Sequence, residues 1–332
     1  MSNRGARQRV IDLQAGDRVD DEIYLVAQKD LRTTNSGGLY IHAVLADSSG
    51  QMLARLWSAT QELYDSIPAG GLVYVRGRAE SYKGKLQFII DGVRAVESGK
   101  IDPSEFLPHT PHDVGQMWQR LREILATIEH PDVKALIDEF LNDEDFANRF
   151  RRAPAARTNH HAYVGGLLEH TLGLLELALV VLPRYPDVSR DLVLAGLLLH
   201  DCGKTVELGY RTSFEYTTSG QLLGHLVQAA IWTHEKARRL QERTQRPIPA
   251  EILTALEHII ISHHGRYEYG SPKLPATPEA ILVHYLDNLD AKLNMAFQAI
   301  DSDPDESAEW TAWVSALETR IYKVDVLKRR ST

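Results

Sequence analysis

The sequence predicts an α+β protein of two domains, an all-β domain followed by an all-α domain. Residues 21–96 alternate apolar and polar side chains in five short runs, the pattern of half-buried strands. From Lys100 to His112 the chain is rich in proline and loses this periodicity. Beyond residue 112 the apolar residues recur at helical spacing. The predicted boundaries are 1–100 for the β domain, 101–112 for a linker and 113–332 for the helical region.

Length and composition restrict the class of protein. The chain has 332 residues, 43% of them apolar and 25% charged, which is enough for two ordinary cores. Its only cysteine, Cys202, excludes an internal disulfide and favours a reducing compartment, so we expect the cytoplasm. The net charge of −8 argues against a generally basic nucleic-acid binder. No apolar run follows the basic residues at the start, so no signal peptide is predicted.

One stretch, residues 164–182, nearly has the length of a membrane span. Glu169, His170 and Glu176 interrupt it. Ionisable groups are costly in lipid but can act as ligands in a protein core. We therefore predict a buried helix and no membrane partner.

The β domain has the element order of an OB-fold barrel. Its five predicted strands are EIYLVAQKDL, GLYIHAVLAD, QMLARLW, LVYVRGRAE and KLQFIIDGVRAV. A helix-compatible segment, residues 58–67, lies between the third and fourth. Alternation places Ile41 on one face and Tyr40 on the other. Three strands, a helix and two strands predict a barrel that commonly binds single strands or oligosaccharides.

The rest of the chain predicts helices only. Their expected spans are 112–129, 132–150, 162–182, 188–200, 221–243, 249–264 and 278–300, with a last helix near 307–325.

Histidine and aspartate recur on successive helices of this region. The series is His170, then His200-Asp201, His225, His263-His264 and Asp287, each in an apolar helical context. A single buried histidine is more often structural than a ligand, but a buried polar group needs a partner, and one cation can satisfy several. Nitrogen and oxygen ligands without a thiolate suit Mn, Fe, Zn, Ni or Mg. The ordered series therefore predicts a metal site.

These residues carry a resemblance to a known superfamily. The segment HDCGK, with His200, Asp201, Gly203 and Lys204, resembles the HDxGK segment of the HD-domain metal-dependent phosphohydrolases. Together with NHHAYVGGLLEHTL, SHHGRYEYGSPKLP and HYLDNLDAKL, the order of OB-fold, linker and HD domain is similar to the YhaM family of bacterial 3'-to-5' exoribonucleases, also described as Cbf-type proteins. The resemblance places the HD core at about residues 155–305.

The resemblance implies two divalent metal ions, manganese ahead of Fe, Co, Ni, Zn or Mg. One ion would be held by His170, His200, Asp201 and Asp287, and the other by His225, His263 and His264 with Asp201 bridging. Asp201 and Lys204 are the implied catalytic residues. Two such cations about 3.5 to 4 Å apart lower the pKa of water from near 16 towards about 7, as phosphodiester hydrolysis requires. Without the resemblance, Lys204 could equally be a solvent-facing helix-terminal cation.

The implied partner is single-stranded RNA, with single-stranded DNA as an alternative and a homo-oligomer left open. An OB-fold binds a strand by stacking bases on aromatic rings beside Lys and Arg. The candidates are Tyr40, Trp57, Arg55, Lys83 and Lys85, and His160 and His161 before the first HD helix. Aromatic residues in a small barrel are also often packing residues, and the two histidines could simply cap a helix.

Two other functions stay open from the sequence. A different HD enzyme could hydrolyse a nucleotide or a cyclic dinucleotide, although the cyclic-dinucleotide branch has GYP after its HH pair, where this chain has GRYEYGSP. The protein could also be a DNA-binding factor with a vestigial HD site, which the intact ligand types disfavour.

Overall fold

A computed structural model describes residues 7–34, 36–82, 85–97, 101, 106–156, 162–209, 214–301, 303 and 308–327, residue 85 by its backbone alone. The chain divides into two compact units, residues 1–109 with 209–215, and residues 110–208 with 216–332.

The first unit contains a closed barrel of five strands in the order β1-β2-β3-β5-β4. The strands are β1 (Arg18–Thr33), β2 (Leu39–Asp47), β3 (Gly50–Leu56), β4 (Leu72–Tyr82) and β5 (Lys85–Ala95), with helix α1 (Gln61–Ser66) between β3 and β4. Strands β3 and β5 pair in parallel, and the other neighbours are antiparallel. This is the arrangement of an OB-fold, so the predicted fold of the N-terminal region is confirmed.

Alternation along the strands fills the barrel. Ile41 on β2 and Ala54 on β3 are at most 1% exposed and belong to the core, as does Phe88 on β5. Register shifts in β1 let this 16-residue strand pair with β2 at one end and β4 at the other. Gly77 lies beside a register shift in β4, where β4 pairs with β5. A Cβ atom at this position would lie 2.1 Å from the carbonyl oxygen of Ile89, so the close contact of these two strands in the barrel requires glycine.

The second unit is helical. Its helices are α2 (Val114–Ala126), α3 (Pro131–Leu141), α4 (Glu144–Arg152), α5 (Gly166–Val181), α6 (Arg190–Leu199), α7 (Lys204–Glu207), α8 (Thr218–Thr244), α9 (Ala250–Ser262) and α10 (Pro278–Asp301). Apart from these helices, β6 (Leu208–Gly209) and β7 (Glu215–Tyr216) form a separate two-stranded sheet. The predicted helix 132–150 is two helices, because Asp143 accepts a hydrogen bond from the Phe146 N–H and starts α4.

Helix α6 is the centre of this unit. Its residues from Val193 to Leu199 are all buried, and it packs against α3, α5, α9 and α10. Ser189 caps its first turn by accepting from the Leu192 N–H. Because α6 is surrounded by other helices, the residues that follow its last turn lie inside the unit.

In the described part of the chain, one helical segment has the length and mean hydropathy of a membrane span, Gly166–Arg184. More than half of it is buried inside the unit, and it contains His170. We interpret it as a core helix, as the sequence predicted.

The predicted last helix near 307–325 is wrong for the residues that the structure describes. Residues 308–327 form two isolated bridges, Trp310 with Tyr322 and Val314 with Thr319, around a single 3-10 turn, Ser315–Leu317. The apolar residues have a helical spacing, but this segment also contains several β-branched residues, which favour extended backbone.

Candidate metal centre

The predicted ligands lie on, or directly after, five helices of the second unit, and their side chains lie close together. His170 lies on α5, and His200 and Asp201 follow the last residue of α6. His225 lies on α8, directly after Gly224, whose left-handed backbone (φ 72°) kinks that helix. His263 and His264 follow α9, and Asp287 lies on α10. The helix ends and the kink direct these side chains inward.

The carboxylate of Asp201 lies at the middle of the group. Its Oδ1 is 3.4 Å from Nε2 of His225 and 3.5 Å from Nε2 of His263. Its Oδ2 is 3.5 Å from Nε2 of His200 and 3.8 Å from Nε2 of His170. One carboxylate therefore faces four imidazoles, each through the same ring nitrogen.

The two remaining predicted ligands complete the group. Nε2 of His264 is 3.2 Å from Nε2 of His225, and Oδ1 of Asp287 is 3.2 Å from Nε2 of His170. Three sets have ligand atoms that all lie within 4.8 Å of one another: His225, His263 and His264; His170, His200 and Asp201; His200, His263 and Asp287. The structure thus brings together all seven predicted ligands.

The other ring nitrogen of three histidines donates to a backbone carbonyl. The Nδ1 atoms of His200, His263 and His264 lie 2.7–2.8 Å from carbonyl oxygens, those of Leu197, Ile260 and Tyr269 respectively. A carbonyl only accepts, so each Nδ1 must carry the proton. Each Nε2 then has a free lone pair that points into the group, the tautomer that a metal ligand needs.

Carboxylates hold the two other histidines. Oδ2 of Asp290 is 2.8 Å from Nδ1 of His170. Oε1 of Glu207 is 2.9 Å from Nδ1 of His225 and also accepts from the His225 backbone N–H. Sequence reasoning missed both carboxylates. The one available signal was that Asp290 follows Asp287 by three residues, so both lie on one face of α10.

Two buried acceptor atoms of the group lack a hydrogen-bond partner among the described residues, Nε2 of His200 and Oδ1 of Asp201. Leaving such atoms unsatisfied costs about 1–3 kcal/mol each. Neither can satisfy the other, since both are lone pairs. A divalent cation with nitrogen and oxygen ligands would satisfy them together, so the residues present fit the implied metal.

Protonation of the imidazoles agrees with this arrangement. Burial lowers the pKa of His200 and His263 and lowers the pKa of His264 to about 3. These three rings are therefore neutral near pH 7 and have Nε2 free to bind a cation without releasing a proton.

The carboxylates of the group are ionised. Burial alone would raise the pKa of Asp201, but the ammonium group of Lys204 holds it well below its ordinary value. The hydrogen bond with His170 likewise lowers the pKa of Asp287 despite its burial. Burial would lower the pKa of His170, yet its bonds with Asp287 and Asp290 raise it to about 9 in the protein without metal.

Lys204 contacts the central carboxylate directly. Its Nζ donates to Oδ2 of Asp201 at 2.6 Å, and its side chain is only 16% exposed. Burial would lower the pKa of this amine, but the charge of Asp201 outweighs burial and raises it. Lys204 is therefore a charged group at the centre and not a solvent-facing helix cation.

Gly203 allows two backbone segments to touch behind the centre. A Cβ atom at this position would lie 2.2 Å from the backbone carbonyl oxygen of His225. The glycine thus lets the turn after Asp201 approach α8 closely enough for Glu207 to reach His225.

We predict that Gly203→Ala lowers the free energy of unfolding by about 1–3 kcal/mol, because the clash is with backbone that must shift. Thermal or urea unfolding measures the change. The control is Gly173→Ala on an exposed face of α5, where nothing lies within 4 Å of a new Cβ. This variant should raise the free energy of unfolding by about 0.5–1 kcal/mol, because alanine favours the helix over glycine. Equal stability of the two variants would contradict the close approach.

Two other histidines near the series hydrogen-bond to the backbone. Nε2 of His258 accepts from the Ala276 N–H at 2.9 Å, and Nδ1 of His284 donates to the carbonyl of His263 at 2.7 Å. Glu169, next to His170, accepts from the hydroxyl of Thr110.

The predicted strand-binding residues lie on the outer surface of the barrel where the structure describes them. The rings of Tyr40 and Trp57 are 5.0 Å apart, and Trp57 is 45% exposed. The guanidinium of Arg55 lies 5.8 Å from the Trp57 ring and 5.5 Å from the ring of Tyr82. Lys83, His160 and His161 lie outside the described residues, as does the side chain of Lys85.

Comparison with known proteins finds a family match within the helical unit. Residues 167–292 match the family model of the HD domain, a span that includes all seven clustered ligands. An HD domain implies a metal-dependent phosphohydrolase, and the clustered side chains fit the metal.

Solved structures similar to the chain include two from Methanococcus maripaludis. The second OB-fold domain of replication protein A is 16% identical (TM-score 0.22), and the match covers 29% of this chain and 99% of that one. A domain of replication protein A is 19% identical (TM-score 0.23), with 27% and 96% covered.

Proposed function

We propose that this protein is a metal-dependent 3'-to-5' exoribonuclease of the YhaM type. It would act in the cytoplasm on single-stranded RNA, release 5'-mononucleotides and have single-stranded DNA as a second substrate. The observation that carries the proposal is the group of seven ligands around Asp201, in which the buried Nε2 of His200 and Oδ1 of Asp201 have no hydrogen-bond partner among the described residues. The motifs SHHGRYEYGSP and HYLDNLD and the N-terminal barrel support the narrower assignment to RNA.

The chain offers ligands for two cations, with manganese our first choice. His170, His200, Asp201 and Asp287 would hold one, and His225, His263 and His264 the other, with Asp201 shared between them. Divalent cations bound here would supply a lowered water pKa and neutralisation of phosphate charge.

Charge balance favours two cations over one. The carboxylates of Asp201, Asp287, Asp290 and Glu207 and the ammonium of Lys204 give the group a formal charge of −3 when the imidazoles are neutral. One divalent ion leaves it negative, and two leave it positive. Since a phosphodiester is an anion, we expect substrate binding only when both ions are present.

The chain's own side chains would position the cations and their ligands and neutralise charge on the phosphate. Asp201 would fix the two cations relative to each other, because its two oxygens face different imidazoles. Lys204 would contribute a fixed positive charge toward the non-bridging phosphate oxygens. Asp290 and Glu207 would hold His170 and His225 in the ligand tautomer.

The barrel would hold the RNA strand. Tyr40, Arg55 and Trp57 form a partly exposed aromatic and cationic surface on β2, β3 and the residue after β3. Such surfaces bind single strands with little sequence preference, because every base has a π face.

We predict that Trp57→Ala weakens binding of single-stranded RNA by about 1–3 kcal/mol, through loss of base stacking. Fluorescence anisotropy of a labelled oligoribonucleotide measures it, and hydrolysis of a dinucleotide should be unchanged. Tyr74→Ala is the control, since Tyr74 pairs with Arg94 on β4 and β5, away from this surface. Equal losses of RNA affinity in both variants would argue against a binding surface formed by Tyr40, Arg55 and Trp57.

The test of the proposed function uses 5'-labelled single-stranded RNA with Mn, Co, Ni, Zn or Mg. We expect a ladder that shortens one nucleotide at a time from the 3' end. Single-stranded DNA, dNTPs and a cyclic dinucleotide are assayed beside it.

Endonucleolytic fragments, or hydrolysis of dNTPs or the cyclic dinucleotide alone, would contradict a 3'-to-5' exoribonuclease and favour another HD phosphohydrolase. Tight oligonucleotide binding with no hydrolysis under any metal would favour a binding factor with a vestigial site.

A further inference from the structure

The metal centre has fully buried members and partly exposed ones. His170 and His263 are at most 2% exposed. The side chains of Asp287 and Lys204 are 18% and 16% exposed, and His264 is also partly exposed. A phosphate would therefore reach the centre past its partly exposed members, of which Lys204 and His264 are two.

A short turn is attached to the centre at one of these partly exposed residues, His264. We call residues Arg266–Gly270 the tyrosine turn; all five are exposed. The carbonyl of Tyr269 accepts the hydrogen bond from Nδ1 of His264 at 2.7 Å, so the turn contacts a predicted ligand. Its start is fixed at Gly265 (φ 73°), where a Cβ atom would lie 2.1 Å from the ring of His284.

The tyrosine turn presents aromatic rings to solvent. Tyr267 is 62% exposed and Tyr269 is 59% exposed. The guanidinium of Arg266 lies 5.8 Å from the Tyr269 ring. Exposed aromatic rings on a turn that is hydrogen-bonded to a predicted ligand, next to a cation and a phosphate-handling centre, have the chemistry that binds a nucleobase.

We propose that the tyrosine turn is a nucleobase subsite of the metal centre. Tyr267 and Tyr269 stack on the terminal base of the nucleotide whose phosphate lies at the ligands, and Arg266 adds a positive charge beside it. This inference rests on the proposed function and deepens it, because it assigns base recognition to the HD domain itself in addition to the barrel.

The experiment compares the binding of adenosine 5'-monophosphate and ribose 5-phosphate to the manganese-loaded full chain by calorimetry. The two ligands share a phosphate and a ribose and differ in the base. We expect adenosine 5'-monophosphate to bind roughly 5- to 150-fold more tightly, the range that one base stack provides. Tyr267→Ala and Tyr269→Ala together should remove this preference and leave the affinity for ribose 5-phosphate unchanged.

Two controls separate stacking from folding. The Phe variants at both positions keep the rings and should keep the preference. Tyr185→Ala removes a tyrosine that is 55% exposed elsewhere in the same unit and should change nothing.

Equal binding of both compounds by the wild type, no binding of either, or a preference that survives in the double alanine variant would overturn the subsite. The nuclease assignment is tested independently. A 3'-end ladder without a base preference refutes the subsite alone, whereas a tyrosine-dependent preference without RNA hydrolysis refutes the nuclease alone.

Discussion

Replacing Asp201 by asparagine should lower kcat/KM for RNA hydrolysis by at least about a thousandfold. Its carboxylate faces four imidazoles through two oxygens, so no other described residue can take its place between them. Cation catalysis contributes several kcal/mol of transition-state stabilisation, and each 1.36 kcal/mol is a factor of ten in rate. Asparagine has nearly the same shape but no negative charge, so the packing of α6 should survive.

Single-turnover hydrolysis measures the loss, and circular dichroism checks that the variant is folded. The matched control is Asp187→Asn, an exposed aspartate in the segment before α6, which should retain full activity. Hydrolysis by Asp201→Asn at the wild-type rate would refute a catalytic role for the centre.

Replacing Glu207 by alanine should have the second-largest effect, a loss of about 10- to 100-fold in metal affinity. Glu207 is 8% exposed and holds both the backbone N–H and Nδ1 of His225. Without it, His225 can take the other tautomer or turn away from Asp201. Metal titration by calorimetry measures the change directly, without reference to turnover.

The conservative variant distinguishes orientation from charge. Glu207→Gln retains an oxygen that accepts from Nδ1, so it should recover most of the affinity if orientation dominates. An alanine variant that binds metal as tightly as the wild type would show that Glu207 only packs against α8.

The fold and the burial of the His200-Asp201 pair were predictable from the sequence because their signals are local. Alternation in residues 39–45 predicted that Ile41 points inward and Tyr40 outward, as the barrel has them. The His200-Asp201 pair follows an unbroken apolar run, which is why its burial could be predicted.

Other features depend on contacts that sequence spacing does not encode. Asp290 pairs with His170 across 120 residues, and its spacing from Asp287 alone does not separate it from a surface carboxylate. Glu207 reaches His225 only because Gly203 lets two backbone segments touch. Residues 308–327 have helical spacing of apolar residues, yet their β-branched residues and cross-bridges determine the backbone.

The most direct measurement is the number of metal ions that the protein retains after equilibrium dialysis against manganese, determined by mass spectrometry of the metal. Seven converging ligands and a formal charge of −3 predict two ions per chain in the wild type and in Asp187→Asn, and at most one in Asp201→Asn. A wild-type protein that retains no more metal than Asp201→Asn would contradict the convergence of these side chains on a pair of cations.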